Sequence, residues 1–377
     1  MTRRGVFVLL LVSSLMAGCA STPASVDREP DAAGGADPLL ADARVPHVVV
    51  PEAFLTAMTP EDNVDSPALW VDGAGKAVLM ATGKRSSRVL TYDGDTGAAT
   101  GAIGRKGGAA GQFDRPNGIF VAGDLVFVVE RDNRRVQVLQ APAMAPLGSF
   151  GQEELVQPYG IWLRAMGPFR YDVLVSDAYM LGEDAAGNEI VPPLAQLDRR
   201  LRRYEVKVGA NGLQARLAGN VGDTSAAGAI RIPESLWGDP AHDRLLIAEE
   251  DVAVGTRVRE YGMDGHYRGR DIGQGVFKAQ AEGIALWQCD DGSGYWITTD
   301  QFKDRTLFHV WDRRSLRYVG AFAGNTVANT DGIWLHQGAT ARFPQGVFYA
   351  VHDDMGVGAF DWRDITRALG LDACKVQ

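Results

Sequence analysis

Pro233-Glu234-Ser235-Leu236-Trp237-Gly238-Asp239-Pro240 is followed, four residues on, by Leu245-Leu246-Ile247-Ala248-Glu249-Glu250-Asp251. The segment reads as two short strands joined by a turn. Gly238-Asp239-Pro240 breaks the first run, because proline fixes φ and aspartate bonds its own backbone. The second run ends in three consecutive carboxylates.

The same plan recurs along the chain. Residues 65–70 lead to 77–82, ending in Gly83-Lys84-Arg85, and 116–121 lead to 125–129, ending in Glu130-Arg131-Asp132. Residues 159–163 lead to 171–175 and Ser176-Asp177, 282–287 to 295–299 and Asp300-Gln301, and 331–335 to 347–351 and His352-Asp353-Asp354. A third strand follows in most copies, at 88–92, 136–139, 201–206, 257–261 and 307–311. Copies starting at 66, 117, 159, 234, 282 and 331 are 51, 42, 75, 48 and 49 residues apart. That is the blade period of a β-propeller with one insertion in the third blade. The expected fold is all-β, a six-bladed propeller over residues 49–365, with a C-terminal tail at 366–377.

Composition agrees. A chain of 377 residues with 46% hydrophobic content buries a sizeable core, and 45 glycines favour β structure over long helices. A net charge of −9 argues against nucleic-acid binding, which needs a basic face.

Residues 1–18 lie outside the repeat. Arg3 and Arg4 precede an apolar run at 6–12, and Leu15-Met16-Ala17-Gly18-Cys19 follows. This resembles a bacterial lipobox and implies a lipoprotein signal peptide cleaved before Cys19, with lipid on that thiol; an ordinary secretory signal is the alternative. Ala20 and Ser21 after the cysteine imply the outer membrane. Residues 19–48, rich in Ala, Pro, Gly and Asp, read as a flexible tether. The other two cysteines, Cys289 and Cys374, are either a disulfide permitted by an exported location or two free thiols.

In a propeller the first strand of each blade lines the central channel, so the residue just ahead of it faces one mouth. Those residues are Asp65-Ser66, Asn117, Tyr159, Glu234, Glu282 and Asp331. Loops after the second strands add Lys84, Arg85, Arg131, Glu249, Glu250 and Asp251 at the same mouth. Clustered carboxylates repel unless cations sit among them, and oxygen ligands without His or Cys select Ca2+ or Mg2+. Cations on blades one and two beside acids elsewhere suit a phosphorylated substrate, since metals and Lys/Arg share phosphate oxygens and metals activate water. The plainer alternative is a polar propeller top with Asp-Gly turns.

The ordered set of residues 65–70, Gly83-Lys84-Arg85-Ser86, Tyr159-Gly160, Ile247-Ala248-Glu249-Glu250-Asp251, Glu282-Gly283 and Thr330-Asp331-Gly332-Ile333 resembles the β-propeller phytases across roughly residues 50–362. The resemblance implies a Ca2+-dependent, 3-phytase-like phosphatase that hydrolyses phytate, myo-inositol hexakisphosphate, as a monomer. It implies that Asp65, Glu234, Glu249, Glu282 and Asp331 bind metal, with Glu250 and Asp251 in the same loop. Glu249, Glu282 and Asp331 would serve catalysis, while Lys84, Arg85, Arg131 and Tyr159 would hold phosphates. The chain departs from the family where two consecutive acids become Asp65-Ser66, where an acid becomes Asn325, and where the blade-two acid becomes Asn117. No lysine stands near Ser176-Asp177-Ala178.

Two other readings stay open. Residues 111–119, with Asp132-Asn133-Arg134-Arg135-Val136-Gln137-Val138 after them, resemble an NHL repeat, which implies a non-catalytic binding propeller. A calcium-dependent lactonase of the six-bladed class is the other. No G-x-S-x-G elbow, Walker loop or H-E-x-x-H is present. Recurrent Trp70, Trp162, Trp237, Trp287 and Trp334 are expected to pack between blades.

Overall fold

A computed structural model of the protein describes residues 1, 37–185, 189–209, 212–372 and 374. The expected signal peptide beyond Met1, the expected lipidation site Cys19 and most of the expected tether lie outside the described residues. Among the described residues no helix is long and apolar enough to cross a membrane.

Six antiparallel sheets form the blades, in the order the spacing predicts. Their inner strands are Val64–Val71, Pro116–Ala122, Pro158–Gly167, Pro233–Asp239, Ala281–Gln288 and Ile333–His336. The second strands are Ala77–Gly83, Leu125–Glu130, Arg170–Asp177, Arg244–Glu249, Gly294–Asp300 and Val347–His352. Both kinds are largely buried, as strands covered on both faces must be, apart from the far end of Pro158–Gly167. The outermost strands of blades one to four are mostly exposed or half-buried, Ala99–Ile103 being the most exposed.

Closure of the ring uses the N-terminal end of the propeller. Phe54–Leu55 pairs antiparallel with Gly356–Asp361 as the outer strand of blade six. Val48–Val49 runs parallel to the outer strand of blade five, Tyr318–Ala323. A helix, Trp362–Leu369, follows blade six; the Asp361 side chain caps it by accepting from the Arg363 amide, and Gly370 ends it at φ 62°. Trp287 of blade five stacks on Trp362 with ring centroids 4.4 Å apart. Cys289 and Cys374 are joined in a disulfide, which settles the open choice between bridge and free thiols.

The tryptophans pack between blades. Trp237 and Trp334 meet Phe120 on the axis, at centroid distances of 5.5 and 5.1 Å from it. These three rings come from blades two, four and six. Beside them on the axis lies a cavity of about 40 Å³, bounded by residues such as Ser66, Gly118, Gly160 and Ser235. It has room for a few waters and no larger ligand.

The blade-three insertion runs from residue 178 to 200. Fully buried Arg200 ties it down by donating to the carbonyls of Asp177, Tyr179 and Ile230, and it lies over the Tyr179 ring at 4.4 Å. Burial pushes its guanidinium down to about 10.

Candidate active site

Each inner strand of blades one to five opens with a bulge. The ladder to the second strand skips two residues between Val64 and Pro67, Pro116 and Ile119, Pro158 and Ile161, Pro233 and Leu236, and Ala281 and Ile284. A bulge re-aims side chains at a strand end. The skipped pairs are Asp65-Ser66, Asn117-Gly118, Tyr159-Gly160, Glu234-Ser235 and Glu282-Gly283, and blade six has Asp331-Gly332 just before its strand. Every pair is one polar residue and one small one. Neighbouring inner strands explain the small partner: a Cβ on Gly118 would lie 2.5 Å from the Tyr159 carbonyl oxygen, and one on Gly332 2.6 Å from that of Asp65. Hydroxyls lock adjacent blades at this level. Thr82 donates to the Asn117 carbonyl at 2.5 Å, and Ser176 to that of Glu234 at 2.9 Å.

The bulges bring acids together. Glu234, Glu250 and Glu282 are buried, and each offers a carboxylate oxygen within 4.8 Å of the others. Burial raises the Glu282 carboxyl well above the usual carboxylate range, and the charges of Glu234, Glu250 and Asp331 raise it further. Oxygen-only donors crowded against their own repulsion are what a hard divalent cation relieves. Among the described residues this is the one such group.

Opposite charges meet on the other side of the mouth. The Lys84 ammonium lies 3.0 Å from Asp65 and 3.3 Å from Asp331. Tyr159 donates its hydroxyl to Asp65 at 2.7 Å, and Ser66 donates to the second Asp65 oxygen at 2.9 Å. Blades one, three and six are thus linked through side chains. Arg85 and Arg131 point away: Arg85 donates to the Pro60 carbonyl at 3.1 Å, and Arg131 to its neighbour Asp132 at 2.8 Å.

Four residues expected among the metal ligands are not in the acidic group: Asp65 and Asp331 gather on Lys84, and Glu249 and Asp251 are held by other partners. The Glu249 carboxylate, fully buried, accepts from the backbone amides of Arg231 at 2.7 Å and Ile232 at 3.0 Å. Burial pushes its carboxyl up, and the amides oppose that push. Asp251 pairs with Arg231 and accepts from the Ala253 amide. Glu249 belongs to a series. The last residue of the second strand accepts a loop amide from the stretch before its own blade's inner strand in five blades: Glu130 from Asp114, Asp177 from Gln157, Glu249 from Arg231, Asp300 from Ala279, and the His352 imidazole from Ala328. In four of these a third-strand side chain completes the contact: Gln137, Arg202, Arg259 and His309. The NHL-like residues of blade two serve this series. Arg135 and Asn133 bind Glu130 and also fasten the carbonyls of Gly107 and Gly108.

The residue one further on reaches the mouth in three blades, as Lys84, Glu250 and Gln301. Gln301, missed in the sequence, donates to Asp331, and Gln280 donates to Glu250 at 3.4 Å. Alignment of the second-strand ends would have found Gln301. Buried Asp354, also missed, has its carboxyl pushed up by burial, with Lys84 opposing and Asp65 and Asp353 reinforcing the rise.

A six-bladed propeller whose channel mouth gathers buried carboxylates on blades four and five defines the class of this protein. Within that class the resemblance to the β-propeller phytases is borne out: residues 230–359 match the family model described as Phytase. The matched region spans blades four to six and includes Glu234, Glu250, Glu282 and Asp331. No curated protein gives a sequence match. Among solved structures, the chain is similar to a chain of a nidogen/laminin complex, with 14% identity, a TM-score of 0.42, and coverage of 71% of this chain and 82% of that one. It is also similar to regucalcin, a calcium-binding protein of Agrobacterium tumefaciens, with 10% identity, a TM-score of 0.49, and coverage of 84% and 97%. Neither likeness bears on the site.

Proposed function

We propose that this protein is a Ca2+-dependent phosphomonoester hydrolase of the phytase type, acting on inositol phosphates, phytate among them. The observation that carries this reading is the convergence of Glu234, Glu250 and Glu282. Those three carboxylates would hold the cation, which when bound offsets phosphate charge and makes water more acidic. Lys84 and Tyr159, gathered on Asp65, are the donors closest to hand for a phosphate oxygen. Asp331 orients Lys84 and is itself held by Gln301. In the reaction a water oxygen bonds to phosphorus, the ester P–O bond breaks, and the departing alcohol oxygen takes a proton.

We further propose that the mature protein is anchored through lipid on Cys19 at the outer membrane and works as a monomer. The disulfide supports an exported, oxidising location.

The full-length protein, given inositol phosphates and excess Ca2+, is expected to release phosphate that a chelator abolishes. Glu282→Gln should lose both the release and the Ca2+-induced rise in Tm that mass action gives a ligand-binding fold. No chelator-sensitive release from any inositol phosphate would sink the enzyme reading.

A further inference from the structure

We infer that the end of blade three farthest from the mouth is a docking tip for an anionic membrane surface. The inference is independent of the phosphatase reading and of lipid on Cys19, which would only bring a bilayer near. The inner strand of blade three, Pro158–Gly167, has 10 residues where those of blades one, two, four and five have 7 or 8. All five open with the same bulge at the mouth, so the surplus projects at the far end, by about 7–10 Å at roughly 3.3 Å per residue. The turn closing it is Gly167-Pro168-Phe169-Arg170. Phe169 stands there at φ 55°, a left-handed conformation that suits Gly or Asn and strains a bulky residue. The ring gains no packing in return: Phe169 is 66% exposed, and Met166 on the same hairpin is 54% exposed.

Positive charge collects at the same end. Residues 164–172 and 203–218 hold five bases, Arg164, Arg170, Arg203, Lys207 and Arg216, against two acids, Asp172 and Glu205, in a chain of net charge −9. Asp172 takes Arg164 and Arg203, and Glu205 takes Arg216. On the side of blade four, where Arg203 donates to the Met263 carbonyl, Asp243 and Asp264 are both held by Arg268. Arg170 and Lys207 are left over. They are direct cross-strand partners, a like-charge pairing that costs stability, and among the described residues neither side chain has an ion pair or hydrogen bond. Both border two hollows of about 280 and 320 Å³, the first reaching Met166 and the second Phe169.

A bilayer interface answers all three features. Lipid phosphates take the two unanswered cations, and the boundary between headgroups and acyl chains takes the ring and the thioether. A protein partner fits less well, because two exposed apolar side chains on one hairpin fall far short of the roughly 800 Å² per side that a stable complex buries.

The test sediments the full-length protein, Phe169→Asn and Arg170→Glu with vesicles of phosphatidylcholine alone and of phosphatidylcholine with an equal part of phosphatidylglycerol. All three chains carry the same N-terminal apolar run at 6–12, so differences between them read the tip. Wild type should bind the anionic vesicles about tenfold or more tightly than the neutral ones, with the preference fading as salt rises. Arg170→Glu should lose most of that preference, with a Tm at or above that of wild type because the new carboxylate faces Lys207. Phe169→Asn should bind the anionic vesicles severalfold more weakly, also without loss of Tm, since Asn suits the positive φ. Variants that bind as wild type does overturn the inference, because another surface then carries the binding. A wild type with no anionic preference overturns it too, as does one that self-associates through the tip in place of binding vesicles, with Phe169→Asn restoring the monomer.

Discussion

Glu249, Glu250 and Asp251 are consecutive acids with three different partners. Strand geometry separates them: successive side chains leave a strand on opposite faces, so Glu249 turns under the loop at 231–232 while Glu250 turns into the mouth. Read as letters, the three are equivalent, and nothing in the string tells which of them ends the strand. Their removal should therefore have distinct consequences. Glu250→Gln is expected to reduce the Ca2+-induced rise in Tm and leave the metal-free protein at least as stable as before, because it removes one of three repelling charges. Glu249→Gln should lower stability by about 1–3 kcal/mol with or without Ca2+, because an amide nitrogen then faces backbone donors in a buried place. Thermal unfolding of both variants at two Ca2+ concentrations distinguishes the roles. Equal loss of the Ca2+ response in both would return Glu249 to the metal group.

At the scale of the element, the second strand does two jobs at its mouth end. Its last residue fastens the loop entering the same blade in five blades, and the next residue, as Lys84, Glu250 or Gln301, reaches the mouth in three. Asp177 shows the first job plainly. It is fully buried, accepts from the amides of Val156 and Gln157, and meets Arg202 at 3.3 Å. Asp177→Ala strands a buried guanidinium and two amides, and should cost about 3–5 kcal/mol in urea-induced unfolding. Because Asp177 is not in the acidic group, the Ca2+-induced Tm shift of the folded variant should match wild type; a lost shift would show that blade three reaches the ion. The inner and second strands were legible in the sequence because they are apolar runs bounded by polar-small pairs and turns. The outer strands were not, since exposed stretches such as Ala99–Ile103 carry no alternation of apolar and polar residues. The polar-small pair itself was visible, but its cause was not. Only the neighbouring strand's carbonyl, 2.5 Å from a Cβ on Gly118, shows why the second member must be small.

Over the whole molecule, the ring is completed by segments far apart in sequence. Phe54–Leu55 closes blade six, and a two-residue strand has no periodicity from which a partner could be read. The disulfide was open in the sequence for a related reason: 85 residues separate Cys289 from Cys374, and separation along the chain says nothing about distance across it. The fold decides the matter, because stacking of Trp287 on Trp362 brings the helix Trp362–Leu369 against blade five and leaves the two Cα atoms 5.3 Å apart. The bridge thus ties the chain's end to blade five, in the turn between its first two strands and at the end of the blade away from the mouth. Closing a loop of this length restricts the unfolded chain and should stabilise the fold by about 2–5 kcal/mol. A reductant is accordingly expected to lower the Tm of the wild-type protein. Cys374→Ser should show the same lowered Tm without reductant, and no further change with it. In both cases the Ca2+-induced rise should persist undiminished, since the carboxylates of blades four and five are positioned by their own bulges and not by the clasp. A Tm indifferent to reductant would mean that the stacked helix holds the seam unaided, and a Ca2+ response lost on reduction would mean that the far end of blade five governs the mouth.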